Sequence, residues 1–331
     1  MSRYGCFLLK TNKIICQNRQ KGSTIIITEK LTNNKELIFL TNRKIYMLMV
    51  LSAFFWAGAF IAGKLSVPFI PVYTLTFLRF FVATFILFFV VKYKDKSNYK
   101  LTKKDVPIFL FTGIVGLFGY HIFFFSALKY TTAINSSLIA AMNPIITTIL
   151  CIFFLKDKIT SKRAIGILLS FAGVFLTITN ANLSTMRSLS LNKGDLLMIV
   201  AVCMWAAYSV FSKSVIHKFS PLILTFYSFL FCTIFLIPFV IYDKPWMFIR
   251  SVPYYSFMAV LYMSIFASVI GYLVQQMSIK QIGPSKTSIF INLVPIFSII
   301  LSVTILKESM STIKFFTAIL IITGVYICQR N

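Results

Sequence analysis

The stretch VYTLTFLRFFVATFILFFVV, Val72–Val91, decides the fold. It holds one charge, Arg79, in an otherwise apolar run. A helix needs about 20 mostly apolar residues to cross roughly 30 Å of hydrocarbon. The run does not alternate apolar with polar residues, as a membrane barrel strand would. Nine more segments read the same way: Ile45–Gly63, Val106–Ala127, Ala133–Leu155, Ala164–Asn180, Asp195–Ser214, Pro221–Tyr242, Pro253–Met277, Thr287–Leu306 and Ile313–Cys328. The pattern predicts an all-α membrane protein of ten transmembrane helices joined by short connections.

Composition agrees. Of 331 residues, 58% are hydrophobic and 12% charged. A soluble domain carries about 25% charged residues and 45–50% apolar ones. That balance excludes an ordinary soluble enzyme, and a disordered chain would be polar. The net charge is +25, from 33 Lys+Arg against 8 Asp+Glu. Such a surplus can mark a nucleic-acid binder, but here the charges fall between the apolar runs, so no nucleic-acid partner is expected. Their placement instead reads as orientation, because cytoplasmic loops of membrane proteins are enriched in Lys and Arg. With the N-terminus inside, 24 basic residues fall on the inner side and 8 on the outer. The expectation is a multi-pass protein of the cell membrane, in contact with membrane lipids, with both termini cytoplasmic. Residues 1–44 carry nine basic residues and only the short apolar patches Cys6–Leu9 and Thr24–Thr28. They read as a loosely ordered basic tail, or as an extension ahead of a natural start near Met47. The six cysteines show no paired spacing, so neither a disulfide framework nor a metal site is suggested.

The two halves resemble each other. Trp56-Ala57 and Trp205-Ala206 are 149 residues apart, as are Lys64 and Lys213. Asn143-Pro144 aligns with Val294-Pro295, and Leu155-Lys156-Asp157 with Leu306-Lys307-Glu308, both 151 residues later. Ala127-Leu128-Lys129 aligns with Ser278-Ile279-Lys280 at the same offset. This reads as a duplicated five-helix unit, 45–180 and 195–328, with 181–194 as linker. Five is odd, so the second copy enters the membrane upside down. Inverted repeats with a site at their interface are a transporter signature.

Several of these residues carry a resemblance to a known family. They are the first-helix Ser52-Ala53-Phe54-Phe55-Trp56-Ala57-Gly58-Ala59-Phe60, the second-helix Phe77-Leu78-Arg79-Phe80, and Ala127-Leu128-Lys129-Tyr130-Thr131-Thr132-Ala133. Asn143-Pro144, Leu155-Lys156-Asp157, Pro295 and Leu306-Lys307-Glu308 follow in order. From Ile45 to Cys328 the chain resembles the EamA family of the drug/metabolite transporter superfamily. The resemblance implies a ten-helix exporter of small metabolites, often amino acids or related compounds. Asp157 departs from the Glu that often ends the fourth helix in that family.

Polar groups within a bilayer are costly and usually face the bundle interior. On the first helix Ser52, Trp56, Ala59 and Gly63 share a face, and on the sixth Ala201, Trp205, Tyr208 and Ser212 do. A Trp there can flank an apolar substrate or a cation, or it can simply fill a packing seam. Arg79 facing lipid would cost at least about 2.5–3.5 kcal/mol. It therefore points inward, pairs with carbonyls or snorkels outward, and inward it could hold a substrate carboxylate. Tyr120 and His121 sit beside a Gly113–Gly116 stripe, and a histidine can relay protons near neutral pH or serve structure alone. Tyr272, Gln275 and Gln276 form the matching cluster on the eighth helix. Asn143 on the fourth and Asn292 on the ninth complete the candidate substrate-binding set. Pro144 and Pro295 each remove a backbone hydrogen bond and are candidate hinges. Asp157 and Glu308 read as interfacial charges. The working reading is a small-molecule transporter that works by alternating access through a central cavity, without cofactor or metal, as monomer or homodimer. The alternatives are a lipid scramblase, a membrane scaffold or, with no catalytic motif to support it, an intramembrane enzyme.

Overall fold

The computed structural model describes residues 4–8, 14–18, 24–27, 42–94, 101–155, 160–182 and 192–329. The chain divides into two units, Met1–Thr41 and Asn42–Asn331. In the first unit, strands β1 (Tyr4–Leu8), β2 (Ile14–Asn18) and β3 (Thr24–Ile27) pair as an antiparallel meander. The reading of this segment as a loosely ordered tail did not foresee these strands. β1 and β3 overlap the short apolar patches Cys6–Leu9 and Thr24–Thr28.

The second unit is helical. Its rods are α1 (Asn42–Ser66), α2 (Val72–Lys94), α3 (Val106–Tyr130), α4 (Ala133–Phe154), α5 (Ser161–Thr179), α6 (Lys193–Val215), α7 (Pro221–Asp243), α8 (Tyr254–Ile282), α9 (Pro284–Leu306) and α10 (Thr312–Gln329). Each expected apolar run is helical, with ends displaced by a few residues. Among the described residues, eight rods are long and apolar enough to cross a membrane, and the apolar parts of α5 and α10 are shorter. Local chemistry sets the starts. The Thr132, Asn192 and Ser220 side chains accept from Asn135, Gly194 and Ile223 backbone N–H groups and so cap α4, α6 and α7. Asp157 and residues 183–191 of the expected linker lie outside the described residues.

Packing follows the repeat. α1 packs on α8 and α9, and its counterpart α6 packs on α3 and α4. α2 pairs with its own counterpart α7, and α5 with α10. Equivalent residues therefore meet across a pseudo-two-fold axis. Trp56 and Trp205 lie 5.7 Å apart between ring centres, and Phe80 and Phe229 4.9 Å. The Thr84 and Thr233 hydroxyls are 3.3 Å apart. At the α5–α10 crossing, Ser170 Oγ donates to Ile321 O at 3.1 Å.

Backbone irregularities repeat too. α3 passes through a π-helical segment, Thr112–Gly119, and α8 through Met263–Ile270. The two are offset by 151 residues, the offset of the surrounding sequence landmarks. π-Helix is rare, so the coincidence points to common descent. In α8 the Gly271 N–H reaches Phe266 O rather than Ala267 O, and Trp56 Nε1 donates to Ala267 O at 3.1 Å. That bond ties α1 to α8. Trp205, its counterpart, has no partner for its buried Nε1. α4 is interrupted at Ala141–Met142, and α9 tightens to 3-10 geometry over Ile289–Asn292, each just ahead of its proline.

Charged groups gather where helices end. Glu308 accepts from the Ala133 and Ile134 N–H groups at 2.9 and 3.1 Å, at the start of α4. Asp243 accepts from Thr74 N–H at 2.9 Å, in the first turn of α2. Asp195, in the first turn of α6, accepts from the Thr131 hydroxyl at 2.7 Å. Lys64 donates to Leu128 O and Thr131 O at 2.7 and 2.6 Å, at the end of α3. These are the electrostatically favoured ends for each sign.

Two stability predictions follow from the close contacts. A Cβ on Gly324 would lie 2.7 Å from Ser170 N and 2.8 Å from Gly166 O, both backbone. Gly324→Val should therefore destabilise the α5–α10 pair by about 1–3 kcal/mol, the cost of overpacking, read as a lower midpoint in thermal unfolding of the detergent-solubilised protein. Trp56→Phe should cost about 0.5–1.5 kcal/mol more than Trp205→Phe, because only Trp56 loses a hydrogen bond. Equal losses in the same assay would show that the bond contributes nothing net.

Candidate functional site

Seven helices enclose a cavity beside the pseudo-axis. α1 contributes Trp56, Ala59 and Phe60, and α2 contributes Arg79. α3 brings Tyr120, His121 and Phe124, directly after its π-helical segment, and α8 brings Tyr272 from the equivalent place. Ala140 and Asn143 of α4 flank that helix's interruption. Met198, Val202 and Trp205 of α6 and Ile291 and Val294 of α9 complete the wall. The volume is about 40 Å³. At roughly 10–15 Å³ for each water centre, that admits about three waters.

Arg79 does not snorkel. It is 3% exposed and lines the cavity. Its Nε donates to Ser268 Oγ on α8 at 2.7 Å, and its guanidinium carbon lies 5.6 and 6.0 Å from the Phe80 and Phe125 ring centres. Among the described residues no carboxylate pairs with it. Such stacking is available to guanidinium because it is planar and weakly hydrated.

His121 is held between two partners. Its Nδ1 lies 2.8 Å from Leu117 O, which can only accept, so the ring proton sits on Nδ1. Nε2 of the neutral ring then faces the Tyr272 hydroxyl at 3.5 Å, the long end of hydrogen-bonding range. His121 and Tyr272 are themselves equivalent positions, 151 residues apart. Tyr120 stacks between the halves, with its ring centre 4.7 Å from that of Trp205. Asn143 Oδ1 accepts from Thr147 Oγ1 at 3.1 Å.

Seven of the ten candidate binding residues thus meet in one cavity: Trp56, Arg79, Tyr120, His121, Asn143, Trp205 and Tyr272. Tyr208, Gln276 and Asn292 are not in its wall. Gln276 Nε2 donates to Tyr208 Oη at 2.7 Å and to Ser212 Oγ at 3.3 Å, a network between α6 and α8. Gln275 reaches Ser209 in the same seam at 3.3 Å. The α6 face that lines the cavity is Met198–Val202–Trp205, rotated from the expected Ala201–Trp205–Tyr208–Ser212 face. On α9 the wall residues Ile291 and Val294 straddle Asn292, whose buried Oδ1 has no partner. The apolar wall residues were missed because an apolar side chain in an apolar helix carries no signal in sequence. Ala59 was legible only as a member of a face that bears Ser52 and Trp56. Pro144 and Pro295 lie next to the wall, and the carbonyls they deprive of a helical donor belong to Ala140 and Ile291, both in it.

Similarity to known proteins is extensive. Residues 43–179 and 192–329 each match the EamA-like transporter family. The chain is 31% identical over 281 residues to the uncharacterized transporter YyaM of Bacillus subtilis (strain 168), covering 85% of this chain and 92% of that one. It is 32% identical over 294 residues to an uncharacterized transporter of Archaeoglobus fulgidus, covering 86% and 97%. A solved crystal structure superposes with a TM-score of 0.60 at 20% identity, over 87% of this chain and 96% of that one. At that identity the superposition speaks for the fold alone. At family level these relatives are transporters rather than enzymes. With both repeats matched and several helices able to span a bilayer, this multi-pass membrane protein belongs to the EamA-like transporter family.

Proposed function

We propose that the protein exports small metabolites, such as amino acids or related compounds, from the cell by alternating access through the central cavity. In this reading α1 to α10 all span the membrane, as two inverted five-helix repeats with both termini cytoplasmic. The observation that carries it is the meeting of equivalent residues at one enclosed site. In its wall Trp56 faces Trp205 and His121 faces Tyr272, while Phe80 meets Phe229 outside the wall. A site at the interface of inverted repeats can be opened to either side by moving one half against the other. The site residues proposed are the seven of the wall, with Tyr208, Gln276 and Asn292 reachable once the helices part. The breaks ahead of Pro144 and Pro295 supply pivots at equivalent places in the two repeats.

Orientation is supported by the charge bias and by the clustering of Lys64, Asp195 and Glu308 at one end of the bundle, where Lys64 and Asp195 both bind the end of α3 and Glu308 the start of α4. That end is the outer one in the sequence reading.

Purified protein in proteoliposomes, assayed for counterflow with a panel of amino acids and related metabolites, tests the function. At least one panel member should exchange. Arg79→Ala should weaken transport of anionic or zwitterionic members by about tenfold or more, the scale of a lost charge-assisted hydrogen bond. Lys129→Ala alters an exposed charge and should leave it unchanged. Equal effects would remove Arg79 from the binding site, and no exchange of any member by folded protein would overturn the reading.

A further inference from the structure

The one charge in the cavity wall is positive, and spare donors accompany it. Arg79 places a full positive charge in the wall, with only Nε committed, to Ser268. Trp205 is 6% exposed, lines the same wall, and has a buried Nε1–H with no acceptor. Asn143 has its oxygen engaged by Thr147, which leaves its amide N–H₂. His121 Nε2 faces the Tyr272 hydroxyl, and the acceptors that remain, the Tyr120 and Tyr272 hydroxyl oxygens, carry no charge. No wall residue is acidic. Asp195, Asp243 and Glu308 are held at helix starts, and Asp105 accepts from Thr102 beside the start of α3. The rest of the wall is aromatic or aliphatic.

We infer that this site selects its substrate by net charge, taking a monocarboxylate anion with an apolar body in preference to the amino acid of the same skeleton. The inference rests on the cavity being the transport site, and it narrows the class of compound. The carboxylate pairs with the free guanidinium N–H groups, a charge-assisted and potentially bidentate contact. The apolar body packs against the rings of Trp56, Trp205 and Tyr120. An added α-ammonium would enter a water-poor site that already holds a positive charge. Its available acceptors are ring faces, the Tyr120 and Tyr272 hydroxyl oxygens and the Ala140 carbonyl, none with a full negative charge. A buried charge left without an opposite partner is costly.

Four compounds of one skeleton separate the charge states: 4-methylpentanoate, leucine, 4-methylpentanamide and 3-methylbutylamine. Two of the chain's three tryptophans line the cavity, so binding to the full chain in nanodiscs is followed by intrinsic fluorescence. The expected order at neutral pH is the anion first, at least about tenfold tighter than leucine, with the amine weakest. Arg79→Gln should bring the anion and the amide to within about twofold of each other, and Arg79→Lys should keep the anion ahead. Leucine or the amine binding as tightly as the anion overturns the inference, as does an anion preference that survives Arg79→Gln. If Arg79→Gln does not fold, the order measured on the unaltered chain decides alone. Binding of none of the four also overturns it. Transport itself is judged separately, because counterflow of any other metabolite in proteoliposomes would stand.

Discussion

A polypeptide in hydrocarbon must satisfy every backbone N–H and C=O within itself. The rest of this architecture depends on that constraint. Regular helix meets it unaided, as α2 does over Val72–Lys94. Interrupted helix does not, so irregular backbone is tolerated only where protein or an internal cavity supplies partners. The interruption of α4 and the tightened segment of α9 both abut the cavity wall. The π-helical segments of α3 and α8 run into it, and at one of them an indole N–H from α1 reaches the Ala267 carbonyl. The breaks ahead of the two prolines and the two matching π-helical segments therefore lie where polar side chains collect, while the π-helical turn Ser302–Leu306 of α9 and Pro238 within α7 lie outside the wall.

Duplication explains the frame, and divergence explains the chemistry. The two repeats present equivalent positions to one axis, but the residues there have drifted apart. His121 faces Tyr272, which gives one acceptor and one donor where two identical groups would compete for the same role. Arg79 has Ser228 as its counterpart, and Ser228 Oγ donates to Thr112 Oγ1 and lies within bonding distance of Leu224 O. A second arginine there would have placed two positive charges across the axis. Trp56 spends its N–H on Ala267, while Trp205 keeps its own free. A symmetric scaffold thus carries an asymmetric site with a single fixed charge.

The helices were legible as apolar runs, and among the described residues eight of them are long and apolar enough to cross a membrane while those of α5 and α10 are shorter. The repeat was legible because Trp, Pro and Lys are rare landmarks in a chain of Leu, Ile and Phe. Arg79 and His121 stood out for the same reason, and the structure puts both in the wall. What the sequence could not show was helix phase. Two faces of α6 pass through Trp205, and residue spacing alone cannot tell Met198–Val202 from Ala201–Tyr208. The π-helical segments add a further shift that no residue type announces. Gln276 illustrates the ambiguity: a buried amide in an apolar helix can face a cavity or bridge two helices, and here it bridges to Tyr208. Glu308 looked like a bare interfacial charge because its partners are backbone N–H groups, which every residue but proline possesses.

The size of the cavity bears on how such a site can work. About 40 Å³ admits a few waters and no metabolite. On the proposed reading a larger solute enters as helices separate, and packing bears on which ones can. The α5–α10 pair is locked by glycines whose Cβ positions already fall on backbone atoms. α2 and α7 are joined by direct packing along their length, with Thr84 meeting Thr233. α4 and α9 are different, since each is interrupted beside the cavity and each packs on the first helix of the opposite repeat. The pivots proposed above therefore fall on the two helices whose backbone is already broken beside the wall.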